Sequence, residues 1–261
     1  MSLLRLLGLR SPEVVAVVGA GGKTTLVYRI AAEARGLGRR VLVTTTTHMG
    51  TPPEGAAGRV FVEAEGDGAF GLGRALEEDG MATLLGRRVR SDKLEGIPKE
   101  RVDELAGLAD LVLVEADGAR GRSLKVPAPH EPVVPASTTL VVVVTALDAL
   151  GARLDEERVH RVERVAAAAG KGIGETLDEA DLAACLSEEG GYVSRVPPGA
   201  RLAAFLNKAE DEGAIRAATR IAGRLPQTYR LVVTGRARDG WGRVLRDADG
   251  PRDDDGPRLL S

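Results

Sequence analysis

The chain has 261 residues, enough for one large α/β domain, and 43% of them are hydrophobic, so a sizeable core can be buried. A formal charge of −2 and 3% aromatics supply neither the basic field nor the stacking platforms of a nucleic-acid-binding protein. The single cysteine, Cys185, excludes an internal disulfide and a cysteine-based zinc site; with no apolar run long enough to span a bilayer and no cleavage-type end to the apolar start, a cytoplasmic protein without nucleic-acid or membrane partner is expected.

Residues 14–18 are an apolar run ending at Gly19, which predicts a buried parallel strand. After a glycine-rich turn, Leu26, Val27, Ile30, Ala31 and Ala34 recur at helical spacing, so a helix is expected to about residue 35, ended by Gly36 and Gly38. Strands are expected at 41–45 and 60–63, then a helix over 69–78 and a short strand before residue 86. A proline in its first turn starts a helix over 98–108. Strands at 111–115 and 140–145 flank a proline-rich loop at 127–135. Helical segments follow at 156–169 and 178–187, then a strand at 202–206, a helix at 213–224 and a last strand at 229–234. The acidic stretch 247–261 reads as a disordered tail. This alternation predicts an α/β, P-loop NTPase-like fold of three layers, with a mainly parallel sheet and helices on both faces. Residues 1–246 are assigned to one domain, with a small helical insertion near 150–195.

Ligands of such sheets bind at the carboxyl ends of the strands, where Gly19, Thr45, Glu115, Thr145 and Asn207 fall. Gly19-Ala20-Gly21-Gly22-Lys23-Thr24-Thr25 lies between a strand and a helix. Glycines let the backbone wrap phosphate oxygens, and the helix start offers free N–H groups and a positive dipole end. Lys23 can reach the β- and γ-phosphates of ATP or GTP, and the Thr24 hydroxyl can ligate Mg²⁺. The usual spacing puts another glycine where Val17 stands, so this shorter loop resembles that of the Mur-ligase group of P-loop proteins.

Four threonines, 44–47, end the second strand; Thr45 is the candidate metal ligand, and His48 follows. Glu115 and Asp117 end the apolar strand LVLVEADG, the position of carboxylates that hold Mg²⁺ or its waters. Two residues apart, they point to one side and repel when buried, unless a cation lies between them. The next loop carries Arg120, Arg122, Lys125, His130 and Glu131, which suit a second anion or a charged substrate. Lys125 stands out because only six of the 36 basic residues are lysine. The three histidines fit no standard zinc spacing, so His48, His130 and His160 are structural or substrate-orienting candidates. Asn207-Lys208-Ala209-Glu210 resembles the Asn-Lys-x-Asp base-recognition motif of GTP-binding proteins, with glutamate in place of aspartate.

Together GAGGKTTL, TTTTHM, SDKLEGIP, LVLVEADGARGRSLKVPAPHEPVVP, VHRVE and FLNKAEDE resemble the YqeC family, over residues 13–231. The resemblance implies an accessory protein of selenium-dependent molybdenum hydroxylases, with a role in maturing their selenium-containing cofactor and such a hydroxylase as client. The residues themselves point to a Mg²⁺-dependent, NTP-hydrolysing protein. Lys23, Glu115, Asp117, Arg120 and Lys125 are its catalytic candidates, and Thr24, Thr45, Glu115 and Asp117 its metal ligands. A kinase or acid-activating ligase for a small anionic substrate is the alternative, and a non-catalytic nucleotide-dependent switch or chaperone a third reading.

Overall fold

A computed structural model describes residues 2–66, 70–188 and 191–250. In chain order its first half contains α1 (Leu3–Leu6), β1 (Glu13–Gly19), α2 (Lys23–Gly36), β2 (Val41–Thr45), β3 (His48–Gly50), β4 (Arg59–Val62), α3 (Phe70–Asp79), β5 (Met81–Leu85), β6 (Arg87–Arg90), β7 (Lys93–Glu95) and α4 (Lys99–Leu105). The second half contains β8 (Leu111–Glu115), β9 (Leu124–Lys125), β10 (Leu140–Ala146), β11 (Val159–His160), α5 (Val162–Ala169), α6 (Glu179–Ser187), β12 (Arg201–Asn207), α7 (Glu212–Arg224), β13 (Leu231–Arg236) and β14 (Trp241–Asp247).

Strands with no polar alternation must be covered on both faces. β1, β2, β8 and β10 are of this kind, and each is buried at every position. They form the middle of a sheet that, among the described residues, has nine strands in the order β14-β13-β12-β10-β1-β8-β2-β5-β4. Every neighbouring pair is parallel except β13 with β14. The pleat sends alternate side chains to opposite faces. Val14, Ala16 and Val18 pack on one side with Leu76 of α3, Val102 of α4, Val165 of α5, Leu182 of α6 and Ile221 of α7. Val15 and Val17 pack on the other with Leu3 of α1 and Leu26 and Ile30 of α2. The fold is thus the three-layer α/β arrangement expected. Among the described residues no helix is long and apolar enough to cross a membrane.

Several expectations are corrected. The helix expected over 156–169 begins only at Val162, because Val159 and His160 pair with Leu124 and Lys125. The helix expected over 98–108 gives way to a 3₁₀ turn at Ala106–Leu108. β3, β6 and β7 form a separate small antiparallel sheet that short, mostly exposed segments do not announce in the sequence. The expected tail starts inside a strand: Asp247 pairs with Leu231 at the end of an antiparallel edge hairpin. Residues 251–261 of that tail, and Ala69 of the predicted third helix, lie outside the described residues.

Buried Tyr229 donates its hydroxyl to the Leu186 carbonyl at 2.7 Å, satisfying one of the carbonyls that the end of α6 leaves without a helical partner. Tyr229→Phe strands that carbonyl and is expected to cost about 1–3 kcal/mol, read as a lower urea midpoint with an unchanged slope.

Candidate functional site

Register brings the functional strand ends to one edge of the sheet. Gly19 lies opposite Val144, Glu115 opposite both Val17 and Thr45, and Asn207 opposite Ala146. The loops leaving these strands enclose a cavity of about 740 Å³.

The glycine loop forms one wall. Gly19 has φ 97°, and a Cβ there would lie 2.1 Å from the Val144 carbonyl oxygen. Gly22, at φ 117°, caps α2, and a Cβ there would lie 2.3 Å from the Asn207 amide nitrogen. No side chain caps this helix and no acidic residue lies in its first turn. Its opening N–H groups and positive dipole end therefore remain available where Gly21, Gly22, Thr24 and Thr25 line the cavity. Gly19 and Ala20 act behind them: Gly19 N–H donates to Asp117, and Ala20 N–H to the Val144 carbonyl at 2.8 Å.

Lys23 is buried and folded back on the loop. Its ammonium donates to the Gly19 carbonyl at 2.8 Å and lies 3.2 Å from Asp117 and 3.8 Å from Glu115. The cation between the two carboxylates is thus an ammonium. Asp117, with no exposure, also meets Lys125 at 3.1 Å. Expected as a metal ligand, Asp117 instead anchors the glycine loop and two lysines. Lys125 continues to Glu131 at 2.8 Å, and Glu131 to Arg161 at 2.8 Å. With its side chain fully buried and also donating to the Gly118 carbonyl at 2.6 Å, Lys125 does not face the cavity as a catalytic group would. Glu115 is different. It lines the cavity and accepts the Thr24 hydroxyl at 2.7 Å. Burial pushes its carboxyl above the ordinary value, against the pull of Lys23 and the Thr24 hydrogen bond.

Thr45, the other expected metal ligand, donates to the Glu115 carbonyl at 2.7 Å and accepts the Thr47 N–H. Thr44 and Thr46 likewise donate to backbone carbonyls, of Leu84 and Val133, leaving Thr47 to line the cavity. Among the described residues no group of three or more His, Cys, Asp or Glu side chains is placed to hold a metal. The remaining donors, the Thr24 hydroxyl and the Glu115 carboxylate, are hard oxygens. They fit Mg²⁺, which binds through one or two carboxylates with phosphate and water completing its shell.

Asn207 donates to the Gly21 carbonyl at 2.7 Å and accepts the Ala237 N–H at 3.0 Å, tying the glycine loop to the turn after β13. Its amide therefore holds the loop. Lys208 pairs with Asp148 at 2.7 Å and lines both the large cavity and a smaller one of about 230 Å³, which Glu210, Arg236 and Arg238 also line. His48, Arg120, Arg122, Glu131 and His160 line the large cavity, whereas exposed His130 does not. Thr47, one of the four threonines singled out, also lines it, as do Arg90 and Arg161, which were not anticipated, although Arg161 sits inside the His160-Arg161-Val162-Glu163 segment singled out from sequence. Burial, then Lys125, Arg161 and Arg120, push the His160 imidazole down to about 4, opposed by Glu131. Burial raises the Glu131 carboxyl, but Lys125 and Arg161 outweigh it and hold the group below its ordinary value.

The family described as YqeC protein matches residues 15–163. Over 201 residues the chain is 36% identical to the protein designated uncharacterized protein YqeC of Escherichia coli (strain K12), covering 76% of this chain and 77% of that one. Among solved structures it is similar to the signal recognition particle receptor FtsY from Elizabethkingia anophelis, at 16% identity and a TM-score of 0.38, covering 88% of this chain and 60% of that one. It is also similar to FtsY from Mycoplasma mycoides, at 11% identity and a TM-score of 0.41, covering 93% and 66%. The chain spans less than two thirds of either structure's length.

His160 gives a pH test. Between its ordinary value of 6.5 and about 4, the unfolded chain takes up the proton and the folded chain does not, so this residue lowers stability as pH falls through that window. Urea midpoints near neutrality and near pH ~5 are expected to differ less for His160→Gln than for the parent protein.

Proposed function

The chain belongs to the YqeC family, and from that premise we propose that it is a Mg²⁺-dependent nucleoside triphosphate-binding protein that hydrolyses its nucleotide in the service of molybdenum hydroxylase maturation. The uncapped start of α2, with Lys23 and the Thr24–Glu115 pair beside it, carries the nucleotide part of this reading. The selenium and molybdenum pathway rests on the sequence resemblance.

Each residue has a physical role in this scheme. The N–H groups from Gly21 to Thr25 bind phosphate oxygens. Lys23 exchanges the Gly19 carbonyl for the β- and γ-phosphates, while Asp117, 3.2 Å from the ammonium, holds it beside the loop. The Thr24 hydroxyl and Glu115 carboxylate hold Mg²⁺, which when bound supplies charge neutralisation and alignment of the phosphates. Lys125 is a positioning residue that acts through Asp117 and Glu131. The smaller cavity at Lys208 and Glu210 suits the base, with Glu210 as acceptor for the N–H donors of guanine. A second reading, transfer of a phosphoryl group to a small anionic acceptor, is favoured by the extension of the large cavity to Arg120, Arg122 and His160.

Lys23→Ala is expected to abolish Mg²⁺-dependent nucleotide binding in calorimetry; unchanged affinity would remove the phosphate-site assignment. Phosphate release with nucleotide alone separates hydrolysis from transfer, which needs an added acceptor, and binding with no release under either condition would leave a non-catalytic switch. Glu210→Ala is expected to alter the ratio of ATP to GTP affinity while leaving inorganic triphosphate binding nearly constant. Equal losses for both nucleotides would place the base elsewhere.

A further inference from the structure

The large cavity extends well past the glycine loop. Its far wall comes from three other segments: the tip between β6 and β7, the loop after β8, and the start of α5. The cations along it fall into two groups. Lys23, Arg161 and Lys208 each have a carboxylate partner, in Asp117, Glu131 and Asp148. Arg120, Arg122 and Lys93 line the same cavity with no ion pair or side-chain hydrogen bond among the described residues. Arg90 has only Asp92, at 3.8 Å.

Two further observations bear on this wall. Arg120 holds a left-handed backbone at φ 49°, directly before Gly121 at φ 75°. A residue with a Cβ pays for that conformation, so the turn that presents Arg120 is held by its surroundings. His160, across the cavity, feels the field: Arg120 is among the charges that disfavour its protonation. A cavity that pairs Lys23, Arg161 and Lys208 with carboxylates yet leaves three cations without one is matched to charge brought by a ligand.

We propose that Arg120, Arg122 and Lys93 form a second anion site, separate from the glycine loop, that binds a phosphate-bearing small molecule carrying at least two negative charges. It rests on the nucleotide reading in that the nucleotide's phosphates fill the glycine loop and its base the smaller cavity beyond Lys208. Arg120 and Arg122, two residues apart on one loop, present guanidinium forks that match tetrahedral oxyanions, and Lys93 adds a point charge from a separate element. A monocarboxylate would neutralise only one of the three. The nucleoside end has its own smaller cavity beyond Lys208, so this far wall is left for the second ligand.

Inorganic pyrophosphate is the probe, titrated by calorimetry into the full chain saturated with Mg²⁺ and a non-hydrolysable nucleotide. Binding is expected to persist, and the His160 proton resonances are expected to titrate at a higher pH once pyrophosphate is present. Arg122→Gln and Lys93→Gln, on different elements, should each weaken pyrophosphate ~10-fold or more and nucleotide far less. Loss of pyrophosphate binding when nucleotide is present would overturn the proposal, because the probe would then be using the glycine loop. Equal weakening of both ligands would also overturn it, making these residues clamps for the nucleotide's own phosphates. Malonate binding as tightly as pyrophosphate would remove the phosphate assignment. In Lys23→Ala, pyrophosphate binding that persists supports the second site even if the parent protein binds no nucleotide, and its absence there refutes an independent site.

Discussion

Asp117 has no exposure, yet it accepts the Gly19 N–H and contacts the ammonium groups of Lys23 and Lys125 at 3.2 and 3.1 Å. A carboxylate removed from water in this way is tolerable only if its charge is met on every side, because the desolvation cost is several kcal/mol. The requirement runs both ways. Without Asp117, two buried ammonium groups would face each other and the first turn of the glycine loop would lose its anchor. The loop's shape and the direction of Lys23 therefore depend on a residue that does not line the cavity.

From that centre the charges alternate outward: Lys125, Glu131 and Arg161 follow in sequence, each within hydrogen-bonding reach of the next. The glycine loop at one end and the wall bearing His160 and Arg161 at the other are thus parts of one connected network. Asn207 makes the corresponding connection on the other flank, joining Gly21 to the turn after β13 beside the smaller cavity. Both flanks of the loop are held by side chains from distant strand ends, which suits a rigid loop better than a mobile one.

Much of the site was legible, but roles were less legible than positions. Glu115 and Asp117 were correctly placed beside the loop, and the need for a cation between them followed from their spacing. That the cation is Lys23, and that the Asp117 carboxylate is already engaged by Gly19, Lys23 and Lys125, depends on packing. Of four adjacent threonines Thr45 was expected to face the metal. The fold engages three hydroxyls with the carbonyls of Leu84, Glu115 and Val133, and so selects Thr47 as the one facing the cavity. The small β3-β7-β6 sheet was missed because its strands are short and largely exposed, so no buried face imposes a pattern on them.

By itself the sequence determined what contiguous residues control: the apolar strands, the helix after the glycine turn, and the left-handed positions that only glycine occupies easily. These are local properties, set by backbone sterics and hydrophobic period. Tertiary structure decided which partners the charged and polar groups meet. Gly19 and Asp117 are 98 residues apart, Gly21 and Asn207 186 apart, and no local rule pairs them. The partner of a buried charge is whichever segment the sheet order places beside it, and that order is settled by the packing of the whole core.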